Sequence, residues 1–143
     1  MLELITDRTQ QDVDRVNELL RKGLWNMTIA ERQEWLQDEH KGAYNYTDLN
    51  RVENAVSNLA QRLVKTGHNV SIQPVREWMN TDLPTQSDME RYLANIKALR
   101  DCGVVLPANT PEVPATMNGL TYDGANAIEQ ILANIDYVLS FME

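Results

Sequence analysis

One eight-residue pattern, reading apolar, Glu, any, any, apolar, small, Asn, apolar, occurs three times in the chain: Val52–Leu59, Met89–Ile96 and Ile128–Ile135. The starts lie 37 and 39 residues apart, a spacing at which self-similarity marks a recurring supersecondary unit. The unit is a helix by its periodicity. Val52, Val56, Leu59 and Leu63 fall at i, i+4, i+7 and i+11, as do Ile128, Leu132, Ile135 and Leu139, with a shorter version in Met89, Leu93 and Ile96. At about 100° per residue the recurring Glu and Asn flank the apolar stripe on opposite sides, which predicts that they border the packed face without lying in it. The Asn is read as bonding the backbone of a neighbouring loop. The chain therefore reads as an all-α domain that uses one helical unit three times.

At 143 residues the chain is long enough for one domain with a real core, so residues 1–143 are taken as a single helical domain. Its net charge is −8, and residues 101–143 contain no Lys or Arg. A surface of that sign repels phosphate backbones and anionic lipid, which argues against nucleic-acid and membrane partners. Cys102 is the single cysteine and has no internal partner; before Gly103 it reads as a reduced, half-buried filler. Met1–Arg8 lacks the basic start and apolar run of a signal peptide, and no stretch approaches the roughly 18 apolar residues of a spanning helix. A protein made in a cytoplasm is expected.

In chain order, residues 1–8 read as an extended lead-in that lays Leu2, Leu4 and Ile5 on the body. Thr9 with Asp12 opens a helix over 10–22, stopped by Gly23; Thr28 with Glu31 opens a second over 28–38, with Ile29 and Trp35 as its apolar contacts, broken by Gly42. A third is predicted over 48–66 with Thr47 as cap, a fourth over 86–101 capped by Thr85 or by Ser87 with Glu90, and a fifth over 122–142 starting near Thr121 or Asp123. Residues 68–85 form a connector in which Pro74 forbids a central strand and Trp78 and Met79 pack. Pro107, Pro111 and Pro114 make 103–120 a long ordered loop. The broad apolar face of the fifth helix reads first as a place at the centre of the bundle and second as a seam left for a partner.

Chemistry is harder to find. His40 and His68 have no ligand partners at metal spacing, and the carboxylates read as helix-start or solvated charges. There is no Gly-rich phosphate loop, Gly-x-Ser-x-Gly elbow or His-Glu-x-x-His. No catalytic, cofactor-binding or metal-binding residue is assigned, and no cofactor is expected. Tyr44, Tyr46, Trp25 and Trp78 stand at or beside loops. They read first as packing residues and second as candidate interaction residues, anchoring a protein partner or stacking on a sugar.

Three stretches carry a resemblance: Leu4-Ile-Thr-Asp-Arg-Thr-Gln-Gln-Asp-Val-Asp-Arg-Val16, Lys41-Gly-Ala-Tyr-Asn-Tyr-Thr-Asp-Leu-Asn-Arg-Val-Glu53 and Trp78-Met-Asn-Thr-Asp-Leu-Pro-Thr-Gln-Ser-Asp-Met-Glu-Arg-Tyr-Leu-Ala-Asn-Ile96. Together they resemble a module of virion structural proteins, tail- or fibre-associated, in phages and prophages of Gram-positive bacteria. The resemblance covers roughly residues 4–100 and brings no catalytic or ligand residues with it. It implies a non-enzymatic structural or adaptor component of a phage particle, made in the bacterial host cytoplasm and then held in the virion. Its partners would be other virion proteins, with homo-oligomers expected. The alternative is a host-surface carbohydrate-binding module that uses the loop aromatics on a glycan.

Overall fold

In a computed structural model that describes residues 1–37 and 40–143, the chain forms α1 (Gln10–Lys22), a 3-10 turn (Leu24–Asn26), α2 (Ile29–Leu36), α3 (Tyr46–Lys65), α4 (Gln86–Arg100) and α5 (Tyr122–Leu139). These are the five helices expected, and the described residues contain no strand. The expected end of the second helix at Asp38 lies outside the described residues.

Four helices open on a capping box: Thr9 with Asp12, Thr28 with Glu31, Asn45 with Asp48 and Thr85 with Asp88. One of these corrects the sequence reading and another decides between its alternatives. Asn45, rather than Thr47, caps α3: its Oδ1 accepts the Thr47 N–H at 2.9 Å while Asp48 accepts the Asn45 N–H at 2.9 Å, so the helix starts two residues early. At α4 the box is Thr85 with Asp88, which leaves Glu90 outside it. Thr121 caps α5 by accepting the Gly124 N–H, and that helix ends at Leu139, short of 142.

The helices α3, α4 and α5 pack on one another, and each of the three octapeptides lies inside one of them. Val52, Leu59 and Leu63 meet Ile96 and Leu99 and the α5 residues Ile128, Ile131, Leu132, Ile135 and Leu139, all without exposed surface. Each such side chain contributes about 1.5–3 kcal/mol by leaving water, so α5 is central for the reason its broad apolar face suggested. The flanking Glu residues depart from expectation. Glu53 and Glu129 are buried, 2 % and 0 % exposed, whereas Glu90 is exposed.

What buries them is a set of irregular segments lying along the helices. The first, residues 2–8, runs antiparallel to α5: the Leu2, Ile5 and Arg8 N–H groups donate to Asp136, Glu129 and Asn126 at 2.9, 3.0 and 3.0 Å. Six residue steps cover ten of helix, about 15 Å at a rise of about 1.5 Å, or roughly 2.5 Å per step against the roughly 3.3–3.6 Å of a fully extended chain, so the segment is irregular but drawn out along the helix. The second, residues 70–78, lies between α3 and α4. Arg76 and Trp78 donate their N–H groups to Glu53 and Asn50 of α3, and Gln73 donates to Asn95 of α4. The third, residues 104–118, crosses between α4 and α5, where Arg100 holds the Thr110 and Pro111 carbonyls and Asn134 reaches Thr110 Oγ1.

Three asparagines act as clamps. Asn126, Asn50 and Asn95 each accept the N–H and return an amide hydrogen to the C=O of a single segment residue, Arg8, Trp78 and Gln73. A side-chain amide thus supplies what a sheet neighbour would, and segments with no ladder keep their backbone groups satisfied. Asn95 bonds a loop backbone as expected of the octapeptide Asn; Asn58 instead accepts from Arg62 on its own helix.

Candidate functional site

The four aromatic residues singled out in the sequence are not brought together. Trp78 is 2 % exposed, with its indole N–H on Glu53 Oε2 at 2.7 Å and the Arg76 guanidinium carbon 4.1 Å from its ring centre. Tyr44 and Tyr46 are half-buried against the core. The Tyr44 hydroxyl meets that of Tyr92, and burial pushes both phenols above their ordinary value, so neither ionises near neutrality. Trp25 stands apart. It sits in the 3-10 turn between α1 and α2 and is 90 % exposed. Met79, expected to pack, is also exposed because the clamped chain turns outward after Trp78.

Around Trp25 the shorter helix, α2, is inverted in polarity. The face of α2 turned to α1 carries Glu31, which is buried and takes both oxygens to Lys22 Nζ at 2.8 Å, and Glu34, which bridges to Arg15 Nε at 2.8 Å. The bond from Lys22, aided by the Thr28 backbone N–H, lowers the Glu31 pKa to about 2. The opposite face carries Ile29 and Leu36, seven residues apart and on one stripe, 76 % and 73 % exposed. Leu20 near the end of α1 and Leu24 beside Trp25 are exposed as well. Arg32 lies at the same tip, donating to the Leu24 and Trp25 carbonyls, and among the described residues it has no carboxylate partner.

A second surface lies on the bundle. A groove of about 650 Å³ separates α4 from the third segment, lined by Met89, Leu93, Val113, Pro114 and Met117 with Glu90 on its wall. Glu90 accepts only the Gln86 amide, at 3.0 Å, and among the described residues no cation lies within ion-pair distance of it. Lys97, on the same wall, is paired with Asp101 at 2.7 Å.

The buried charges escaped the sequence reading, which took the carboxylates as solvated. Arg8 donates to Glu129 at 2.6 Å and Asp48 at 3.2 Å, and Arg51 bridges the same two acids. Glu53 pairs with Arg91, and Asp136 with Arg62 at 2.8 Å. Burial raises the Asp136 pKa, but the Leu2 N–H and the Arg62 guanidinium outweigh it and hold the carboxyl below its ordinary value. The one sequence signal for this was Asn-x-x-Glu, at Asn50–Glu53 and Asn126–Glu129, overlapping the octapeptides. Each of these acids is bound to a structural partner, and among the described residues Arg8 Nε is the one buried side-chain atom left without a hydrogen bond, so the cluster holds segments and helices together.

Among the described residues no group of three or more His, Cys, Asp or Glu is gathered as a metal site, and no helix is long and apolar enough to cross a membrane. No family model, curated protein or solved structure matches the chain.

Proposed function

We propose that the chain is a non-enzymatic structural or adaptor component of a phage particle, from the tail or fibre region, that reaches the virion from the host cytoplasm and works through protein–protein contacts. The sequence resemblance supplies the setting. The observation that carries the contact role is the inverted face of α2: a short helix that buries Glu31 and presents Ile29 and Leu36, beside an exposed Trp25, has the composition of an interface core. Left in water, those side chains give up several kcal/mol that a partner would recover. Trp25, with Arg32 beside it, has the chemistry of an interface hot spot.

The test is made on purified particles of a phage that encodes the chain. Mass spectrometry is expected to find it in fixed stoichiometry, and a photo-crosslinking residue at position 29 is expected to join it to a virion protein. Absence from particles would overturn the proposal. Of the four loop aromatics in the glycan reading, Trp25 is the one that is largely exposed; binding on a glycan array that disappears in Trp25→Ala would favour that reading instead.

A further inference from the structure

We infer that the groove beside Glu90 receives the Trp25 tip of a second copy of this chain, joining copies head to tail. The inference rests on the protein-contact reading above and adds the partner and its seat. In the octapeptide alignment Glu53, Glu90 and Glu129 occupy the same place on α3, α4 and α5. Two of these carboxylates are covered in the same way. Glu53 receives the Trp78 indole N–H at 2.7 Å and the Arg76 N–H at 3.1 Å, with the Arg76 guanidinium over the indole. Glu129 receives the Ile5 N–H at 3.0 Å and the Arg8 guanidinium at 2.6 Å. In both grooves a segment lowers an indole or a guanidinium onto the acid and closes the space.

The third groove lacks such a donor. Its segment reads Glu112-Val-Pro-Ala-Thr-Met-Asn118, without Trp, Arg or Lys, and Pro114 has no N–H to give. Glu90 keeps the Gln86 amide as its contact, and the groove remains open beside Met89, Leu93 and Met117. The missing chemistry, an indole with a guanidinium next to it, is what the hairpin tip presents in Trp25 and Arg32.

Charge selects the pairing. A chain of −8 with no Lys or Arg in residues 101–143 opposes contact between two like faces. Setting Arg32 of one copy against Glu90 of the next brings opposite signs together, Glu112 of the same groove being already held by Arg100 at 3.1 Å. Tip and groove are different surfaces, so the contact is heterologous and propagates into a ring or a filament.

Sedimentation equilibrium of the whole chain tests this. The wild type is expected to gain mass with concentration, and Trp25→Ala and Glu90→Lys each to weaken association by about tenfold or more. Both positions are exposed, so the variants fold. Mixed one to one, the variants are expected to give a dimer that does not extend, because one retains the groove and the other the tip. A wild type that stays monomeric at millimolar concentration would overturn the inference, as would either variant associating like the wild type. The reading of a particle component stands or falls separately, by the presence of the chain in virions.

Discussion

A carboxylate taken out of water loses several kcal/mol of hydration, and Glu129 recovers it from four hydrogen bonds, one from the Ile5 N–H and three from the guanidinium groups of Arg8 and Arg51. Removing the acid would leave Arg8, itself buried, facing Asp48 alone. Glu129→Ala is therefore expected to lower stability by about 3–5 kcal/mol in urea unfolding. Glu90→Ala, at the matching place on α4, is expected to change it by less than about 0.5 kcal/mol. Equal losses would mean that the buried network does not govern the difference. The sequence shows three like Glu residues and hides this contrast, because burial comes from segments far away in the chain: Ile5 and Arg8 for one, Arg76 and Trp78 for another. Asn95 was legible as a loop-binding residue, whereas the Asn50 and Asn126 clamps lie outside the octapeptide that drew attention.

At the scale of elements, caps and periodicity made the helices legible, since capping is local and α1, α2 and α4 each carry a Thr followed three residues on by an acid. The orientation of α2 was not legible. Ile29 and Trp35 read as its apolar contacts, and the ion pair from Lys22 to Glu31 instead rotates Ile29 outward. That pair makes the hairpin sensitive to acid. The folded-state pKa of Glu31 is lowered from 4.5 to about 2, so its contribution is complete above 4.5 and fades as pH falls toward 2. Glu34, lowered by Arg15, acts in the same direction. Amide shifts of α1 and α2 are expected to move toward disorder over that range, with a smaller change in Glu31→Gln; a hairpin indifferent to pH would remove the ion pair from this role. The hairpin is also seated by close backbone approach. A Cβ on Gly42 would stand 2.1 Å from the Asp12 carbonyl oxygen, inside any tolerated contact. Gly42→Ala is expected to cost about 1–3 kcal/mol in the same urea assay, a role beyond the helix-breaking one suggested by sequence.

Taken whole, the molecule is three helices whose grooves are crossed by three irregular segments, with the α1–α2 hairpin following the first segment and preceding α3 in the chain. The all-α class was legible because the core stripe is periodic. Residues 1–8 were legible as a lead-in laid on the body, whereas the other two segments were read as a connector and a loop because Pro74, Pro111 and Pro114 deny a ladder, and a clamp made of side chains leaves no period in the sequence. Such clamps have a signature in hydrogen exchange, where protection outside helices and sheets is ordinarily small. The Ile5, Arg8, Gln73, Arg76 and Trp78 amides belong to no helix or strand, yet each donates to a buried or half-buried acceptor on α3, α4 or α5. Their exchange is expected to require opening of the bundle and so to follow the rates of the α3–α5 core. Exposed neighbours such as Ser71 and Glu77 are expected to exchange orders of magnitude faster. The amides of α1 and α2 are expected to fall between, since Val16, Leu19 and Met27 are buried outside the main core. Uniformly fast exchange along residues 2–8 and 70–78 would show the segments to be loosely held, and the buried Glu53 and Glu129 would then need another source of protection from water.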